Sequence, residues 1–448
     1  MTRRAKVGIV AAVVGLSLLL LCLCVATWVA YVNFAPVIAS AANPKVDRIA
    51  YVDNDSNIQL VDATGTQRVA LTTDASETAG RYYIFPTWAP DSQRIAFIGA
   101  LGTDQSREGE LFTLPVKGGD RAIVYKSSEM VPFYSYWSPD SQRIAFLAQN
   151  DTEMVLLLGH PEGKQDVRKV ESGAPFYWDW APNSQSLLMH IGGSRHDSNE
   201  AHLAIQGVSA GNAPKALDHG PSDFEAPHYS PNGAQILYAG THNSDGDALF
   251  VADAQGTNAR LITDYVGRIA FAWSPDGKKI AWIVTDVDSG LPHLGQVMVS
   301  DADGSNAKPL AGERTLAFYW SPDSQQIAYL TVVIGNSRGC ADDCGRLPGL
   351  GAPLLQAQTV HLRWRVVNLA DNQVRTLATF DPTQTFLLML PYFDQYSRST
   401  TFWSPDSHKF VYTQEEADGS GTVWVADVTG KEEARKVGDG TLGVWSWK

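Results

Sequence analysis

Histidine and carboxylate side chains gather in one part of the sequence, and this set is the best candidate for chemistry. Its members are His196, Asp197, Glu200, His202, His219, Asp223, Glu225, His228 and His242. Converging imidazole and carboxylate groups could bind a divalent metal ion, and such a metal could support hydrolysis or a lyase reaction. The spacing matches no compact metal-ligand motif, and solvated loops carry the same residue types. Two interpretations therefore stay open, a ligand-binding surface and a metal-assisted enzyme.

A recurring phrase indicates which elements hold these residues. It reads "WSPDSQRIAF" at its second occurrence, and its intact copies begin at Trp88, Trp137, Trp180, Tyr229, Trp273, Trp320 and Trp403. Five of the six intervals between these positions are 43 to 49 residues long. This period is typical of a four-stranded propeller blade. The sixth interval, of 83 residues, is one unit with insertions.

Each unit reads as four antiparallel strands. In the unit around Trp273, the strand "RIAFAW" meets the turn "SPDG", where Pro275 presets the backbone angle. The strands "KKIAWIV", "GQVMVSD" and "AKPLAG" follow. The motif position after proline is aspartate in five intact motifs and asparagine in two. Both residues have a short side-chain oxygen that accepts turn hydrogen bonds, so we predict a structural role for this position.

The two ends of the chain share one further motif. Residues 444–448, "VWSWK", match the start of the phrase, and "NPKVDRIAY" from Asn43 matches its continuation. We therefore expect the C-terminal segment to form the innermost strand of a blade whose other strands come from the N-terminal side. Seven intact motifs and one split motif predict an all-β fold with eight four-stranded antiparallel blades. Seven blades are the alternative.

These motifs resemble the TolB-type propeller repeats, a WD-repeat-like family in which W-S-P-D-G precedes an I-A-F strand. The resemblance covers essentially the whole chain after residue 43 and implies a β-propeller. The glycine that the family usually carries after the aspartate is serine in five of the seven intact motifs. The resemblance is unspecific for function, because such propellers act as scaffolds, exported binding modules and non-catalytic halves of peptidases.

An uncharged stretch at residues 7–32 precedes the repeats. It is long enough to span a bilayer as one helix, three basic residues precede it, and the next charge is at Lys45. This pattern predicts a single-pass anchor in the cell membrane, with the bulk of the chain on the extracytoplasmic side. The small residues at 39–41 also fit a signal-peptide cleavage site, so a cleaved signal peptide is the alternative interpretation. The predicted organisation is a basic tail at 1–6, the anchor at 7–32, a linker at 33–42 and the propeller at 43–448.

The loops predict which face of the propeller is the working one. Turns after the first and third strands are short, and we call their side the short-turn face. Loops after the second and fourth strands hold all the irregular segments, including insertions at about 335–357 and 381–399, and we call their side the elaborated face. Function tends to lie in such loops on a rigid scaffold, so we expect ligands to bind there.

The two insertions carry further expectations. Cys340 and Cys344 lie in the first, where a disulfide is favoured in an oxidising exterior over free thiols or a metal clip. The second contains the apolar run "TFLLMLPYFDQY". It is expected to be a short helix that caps the disc or an exposed patch that binds a partner.

Charge and motifs together define the predicted function. A net charge of -13 disfavours nucleic acid as a partner. We predict a membrane-anchored, extracytoplasmic propeller that binds a protein, peptide or glycan through the elaborated face, without catalysis and without a cofactor. The alternative is a metal-assisted polysaccharide lyase or hydrolase that uses the histidine-rich set. An envelope scaffold without a small ligand is a third interpretation.

Overall fold

Strand pairing follows the sequence repeats, because each motif turn joins the first two strands of an antiparallel sheet. The computed structural model describes residues 47–448 except 104–105, 164–165, 197, 210, 212, 223–224, 243–245, 286–293 and 335–359. The predicted anchor at 7–32, Cys340 and Cys344 therefore lie outside the described residues. So does the whole of the predicted insertion at about 335–357.

Six four-stranded sheets, which we call blades 1 to 6, follow three initial strands. The initial strands are β1 (Ile49–Asp53), β2 (Ile58–Val61) and β3 (Arg68–Ala70). Blade 1 contains β4 (Arg81–Trp88), β5 (Arg94–Thr103), β6 (Ser106–Pro115) and β7 (Ala122–Ser127). Blade 2 contains β8 (Val131–Trp137), β9 (Ile144–Gln149), β10 (Met154–Gly159) and β11 (Arg168–Ser172). Blade 3 contains β12 (Phe176–Trp180), β13 (Ser186–Ile191), β14 (His202–Gly207) and β15 (Lys215–Ala216).

The remaining elements follow the same order. Blade 4 contains β16 (His228–Tyr229), β17 (Gln235–His242), β18 (Gly246–Asp253) and β19 (Arg260–Tyr265). Blade 5 contains β20 (Ile269–Trp273), β21 (Lys279–Thr285), β22 (Gly295–Asp301) and β23 (Lys308–Thr315). Blade 6 contains β24 (Ala317–Trp320), β25 (Gln326–Ile334), β26 (Val360–Asn368) and β27 (Val374–Phe380). Then come helix α1 (Gln384–Met389), a 3₁₀ turn (Leu390–Tyr392), helix α2 (Phe393–Tyr396), and strands β28 (Lys409–Glu415), β29 (Gly421–Asp427) and β30 (Arg435–Trp445).

The prediction of eight four-stranded blades is wrong, because the described residues form seven sheets. The seventh blade is a six-stranded sheet in the order β28-β29-β30-β1-β2-β3, and we call it the composite blade. Strand β30 pairs with β29 through Arg435 to Asp439 and with β1 through Gly440 to Trp445. No loop separates these two halves, so two sequence repeats share one continuous strand. The pairing of β30 with β1 closes the ring through the two ends of the chain, as the split motif predicts.

The predicted fold also included a transmembrane helix, and this part of the prediction is not supported. Among the described residues, no helix has the length and apolar content needed to cross a membrane.

The motif side chains stabilise turns, as predicted. The Asp140 carboxylate accepts hydrogen bonds from the Ser138 hydroxyl at 2.6 Å and from the Gln142 backbone N–H at 3.0 Å. The amide oxygen of Asn183 accepts the equivalent backbone bond from Gln185 at 3.0 Å. Because aspartate and asparagine make the same bond, the charge at this position is not what the turn requires.

A belt of hydrogen bonds joins neighbouring motif turns on the short-turn face. A backbone N–H of one turn donates to a serine hydroxyl of the next at 3.0–3.1 Å, in the pairs Asp91 to Ser141, Asp140 to Ser184, Asp276 to Ser324, Asp323 to Ser407 and Lys448 to Ser92. Each of these serines has a φ of 59–63°, in the left-handed region that favours glycine. The hydroxyl thus gives a physical reason for serine at this position, since glycine could not link the blades.

Removing one of these hydroxyls should weaken the ring. We expect Ser324→Ala to lower the free energy of unfolding by about 1–2 kcal/mol, because the Asp276 N–H loses its acceptor while the left-handed backbone is kept. Ser324→Gly should lower it less, since glycine adopts this conformation readily. Urea denaturation would measure both changes, with the exposed Ser128→Ala as the control. An alanine variant as stable as the wild type would contradict the role of the belt.

Candidate functional site

The seven sequence-predicted site residues that the structure describes do not come together in one place. Near the elaborated face, His196, His242 and His202 each contact a different neighbour. His196 Nε2 lies 2.9 Å from Asp247 Oδ1, and His242 Nδ1 lies 2.7 Å from Asp264 Oδ1. The Nδ1 atom of His202 lies 2.7 Å from the backbone oxygen of Glu200, whose side chain is exposed.

His219 has a packing role. Its ring stacks on Phe250 with centroids 4.5 Å apart and an interplanar angle of 8°. Its Nδ1 atom lies 2.8 Å from the Tyr238 hydroxyl. These contacts tie the segment before blade 4 to two strands of that blade.

Glu225 and His228 are buried, in contrast to the histidines near the elaborated face. Glu225 lies beside His190, with 3.6 Å between its Oε1 and the imidazole Nδ1. Burial lowers the pKa of His190 to about 4. His228 begins the inner strand of blade 4 and borders the cavity described below.

Asp197 and Asp223 lie outside the described residues. Within the part of the chain that the structure describes, no group of three or more His, Cys, Asp or Glu side chains is placed to hold a metal ion. The seven described members of the set therefore lie in separate places, and the divalent metal stays a prediction from the sequence.

A central cavity of about 570 Å³ lies at the short-turn end of the ring. Its rim and walls repeat with the blades: Pro90, Pro139, Pro182, Pro231, Pro275, Pro322 and Pro405 come from the motif turns, and Trp137, Trp180, Tyr229, Trp273, Trp320 and Trp403 precede them. The C-terminal Trp447 also borders the cavity, with 41% of its surface exposed. The recurring motif therefore builds a ring of proline and aromatic side chains around one opening.

The insertion after β27 closes the other end of this cavity. Helix α2 contacts inner strands around the ring: Tyr396 packs against Phe85 of blade 1, and Phe393 packs against Phe318 of blade 6. Between them, Asp394 Oδ2 accepts a hydrogen bond at 2.8 Å from the backbone N–H of Ala226, just before blade 4. The residues after α2, including Ser397, Arg398 and Thr400, line the cavity.

Gln395 binds inner-strand backbone as another strand would. Its Oε1 accepts from the Trp178 N–H at 3.0 Å, and its Nε2 donates to the Trp178 carbonyl at 3.1 Å. The Tyr134 hydroxyl donates to the Gln395 backbone oxygen at 2.8 Å. Inner strands have backbone groups that no further strand pairs, and Gln395 satisfies two of them.

Arg398 and Asp179 form an ion pair at the closed end of the cavity. The distance between Arg398 Nη2 and Asp179 Oδ2 is 3.6 Å. The Asp179 oxygens also accept hydrogen bonds from other residues. Oδ1 accepts one from the Tyr136 hydroxyl at 3.1 Å, and Oδ2 accepts one from the Tyr229 N–H at 2.8 Å. Asp179 is therefore fixed by its neighbours, and it holds the guanidinium in place.

Burial determines the charge state of these groups. It raises the pKa of the Asp179 carboxyl, an effect that the positive charge of Arg398 opposes. Burial, followed by the charge of Arg398, lowers the pKa of His228 well below its usual value, so this imidazole is neutral at pH 7. Burial raises the pKa of Asp394 to about 6. At neutral pH, Arg398 is the positive charge of the cavity lining.

Arg398, Asp179, Asp394 and Gln395 were not among the predicted site residues. Asp179 had a signal, because it lies directly before a motif tryptophan in "FYWDW", where a buried strand has no reason to carry a charge. The polar residues of "YFDQYSR" interrupt an apolar run in the same way. Their positions indicate that Asp179 and these polar residues are buried and functional, but nothing in the sequence pairs Asp179 with Arg398.

The comparisons with known proteins concern the fold. No protein-family model matches the sequence, and no curated protein matches it. TolB from Acinetobacter baumannii matches at 15% identity over 78% of this chain and 80% of its own, with a TM-score of 0.37. An oligogalacturonate lyase in complex with manganese matches at 13% identity over 84% of this chain and 95% of its own, with a TM-score of 0.49.

A prolyl endopeptidase structure has a TM-score of 0.51 at 11% identity; the match covers 86% of this chain and 58% of the peptidase. At these identities the similarity describes the fold alone. The seven blades built on the repeated motif confirm the β-propeller fold predicted from the sequence.

Proposed function

We propose that this propeller is a binding module that takes up a peptide segment of a protein partner in its central cavity, through the short-turn face. The observation that carries the proposal is the cavity itself, with a ring of proline and aromatic side chains around a closed end that holds Arg398. A concave, mostly apolar site with a few convergent polar groups is the usual form of a ligand site. Its volume of about 570 Å³ suits a few residues of extended peptide.

The composition of the walls favours a peptide over a glycan. A sugar presents many hydroxyl groups and needs many hydrogen-bond partners, whereas the rim is formed by proline rings and large aromatic side chains. Proline and aromatic surfaces suit apolar side chains and the extended backbone of a peptide. The polar lining residues include Thr400, Thr401 and Ser446.

The charged groups of the cavity favour binding over catalysis. Each Asp179 oxygen accepts a hydrogen bond from a neighbouring residue, and its charge is opposed by Arg398. A general base needs a lone pair directed at a substrate proton. Asp179 instead directs its lone pairs at the Tyr136 hydroxyl and the Tyr229 backbone, so its role is to hold the site together.

The elaborated face offers the competing surface. The insertion was expected to be a cap or a patch, and the structure gives it both features. Phe386 and Phe393 are buried, whereas Leu388 and Tyr392 have 58% and 48% of their surface exposed. Neither Leu388 nor Tyr392 lines the central cavity.

Two substitutions distinguish the faces. Peptides would be selected from a random library on the full chain, and their affinities measured by isothermal titration calorimetry. Ala272→Trp fills the cavity and should weaken binding at least tenfold, whereas Leu388→Asp on the elaborated face should leave it within twofold. Thr376→Trp, on the exposed outer strand of blade 6, is the control for added bulk. Loss of binding in the Leu388 variant alone would reject the cavity as the binding site.

A further inference from the structure

We propose that Arg398 binds the C-terminal carboxylate of the peptide, so that the propeller recognises a free chain end. This inference rests on the proposed function and adds the chemical group that the site selects. The guanidinium carries five N–H donors in a planar fork that fits a carboxylate. Among the described residues it makes one ion pair, at 3.6 Å, and its buried Nε and Nη2 atoms have no hydrogen-bond partner.

Asp179, the acidic partner of Arg398, accepts its closest hydrogen bonds from other residues. Asp179 accepts close hydrogen bonds from Tyr136 and Tyr229, at 3.1 and 2.8 Å, while its distance to the guanidinium is longer. The Arg398 side chain keeps 24% of its surface exposed, although it borders an otherwise apolar cavity. A held guanidinium with unused donors in an apolar site is a strong anion receptor, because hydrogen bonds to a charged group strengthen as water is excluded.

His228 supplies a second unused polar atom beside the same cavity. The residue is 1% exposed, and its Nε2 has no hydrogen-bond partner. A buried polar atom without a partner is costly, so its position in a site needs a reason. His228 and Arg398 line the same cavity. A carboxylate held by Arg398 would also offer an acceptor to the neutral imidazole.

The shape of the cavity favours a chain end over an internal acidic side chain. Helix α2 fills the far end of the channel, where Gln395 binds blades 2 and 3 and Asp394 binds the Ala226 backbone. A peptide that enters from the short-turn face therefore cannot pass through. It must turn back or stop at Arg398, and stopping requires no sharp turn inside about 570 Å³.

The test compares free acids with amides on the wild-type chain. Peptides with six randomised C-terminal residues and free carboxylates would be selected, and each selected sequence would be made again as the C-terminal amide. We expect the free acid to bind at least tenfold more tightly than the amide. Equal affinity, including equal affinity for amides that carry Glu or Asp, overturns this inference and leaves the proposed function intact. If no peptide of either form binds, the proposed function fails first.

Variants then assign the effect to Arg398. In Arg398→Gln the ratio between acid and amide should fall to within twofold, and Arg398→Lys should keep part of it because the charge is retained. Arg435→Gln, at an exposed strand position, should leave the ratio unchanged. Because the wild-type ratio needs no substitution, a variant that folds poorly does not affect the main result. An unchanged ratio in a folded Arg398→Gln protein overturns the assignment.

Discussion

Replacing Gln395 with leucine is expected to lower the free energy of unfolding by about 2 kcal/mol, although this residue lies in an insertion and not in a blade. Its side-chain amide bonds both the N–H and the carbonyl of Trp178, at 3.0 and 3.1 Å. Both Trp178 backbone groups belong to the buried inner strand of blade 3. Leucine has a similar size but no polar atoms, so the Trp178 N–H would lose its acceptor, whereas the Trp178 carbonyl keeps the Tyr136 hydroxyl at 3.2 Å.

The expected loss follows from the cost of one orphaned group. A buried backbone donor or acceptor without a partner costs about 1–3 kcal/mol. The Trp178 N–H therefore accounts for about 2 kcal/mol, whereas the Tyr134 hydroxyl keeps its bond to the Gln395 backbone oxygen. Urea denaturation followed by far-UV circular dichroism would measure the change.

A matched control is available in the same insertion. Gln384 begins helix α1 and is exposed, so Gln384→Leu makes the same chemical change without orphaning a buried group. We expect its effect to stay within about 0.5 kcal/mol. If the two variants lose the same stability, the insertion does not act as a strand-like partner for blade 3.

The repeats allow most of the propeller to be predicted from the sequence. A motif that recurs at blade spacing specifies a strand, a turn and a second strand each time, because Pro and the following Asp or Asn determine the turn locally. The split motif likewise predicts that the C-terminal segment closes the ring beside the first strand, and in the structure β30 pairs with β1. These features depend on local interactions that recur in every repeat.

The number of blades depends on the junction between two units, which the repeat motif does not determine. Residues 435–445 contain the end of one unit and the start of the next, and the sequence count treats them as two strands. In the structure Asp439 pairs with β29, and the adjacent Gly440 pairs with β1. Whether a chain breaks or continues at such a junction depends on how neighbouring sheets meet, which is a tertiary property.

The candidate site shows the same limit more strongly. The rule that variable loops carry function directed attention to the elaborated face. The largest described insertion on that face instead turns inward, because Phe386 and Phe393 pack in the core and Gln395 binds inner strands. The invariant parts of the motif then form the rim of the cavity. A sequence repeat shows which residues are alike, but not which way an insertion folds.

We expect the buried carboxylate of Asp394 to lower the free energy of unfolding at neutral pH. Asp394 is 2% exposed; its Oδ2 accepts a hydrogen bond from Ala226, and its Oδ1 has no partner among the described residues. Burial raises its pKa to about 6, above the value of about 3.9 expected in the unfolded chain. The ionised form is therefore penalised in the folded state.

The sign of the pH dependence follows from these two values. Below about pH 4 the carboxyl is protonated in both states and the penalty is absent. Above about pH 6 it is ionised in both states, and a difference of about two pKa units costs about 3 kcal/mol. His190 and His228 act in the opposite direction, because their lowered pKa values make the folded state lose stability as the pH falls below about 6.5. The wild-type profile alone therefore mixes both effects.

Comparison with Asp394→Asn isolates the carboxylate. The amide cannot ionise, and its oxygen can still accept the bond from Ala226. We expect the variant to be more stable than the wild type by about 3 kcal/mol at pH 7.5, with the difference falling to near zero at pH 4. Urea denaturation at a series of pH values would measure it, with the exposed Asp120→Asn as the control. A constant difference across this range would show that the carboxylate charge is not the cause, because only a group that titrates differently in the two states makes stability depend on pH.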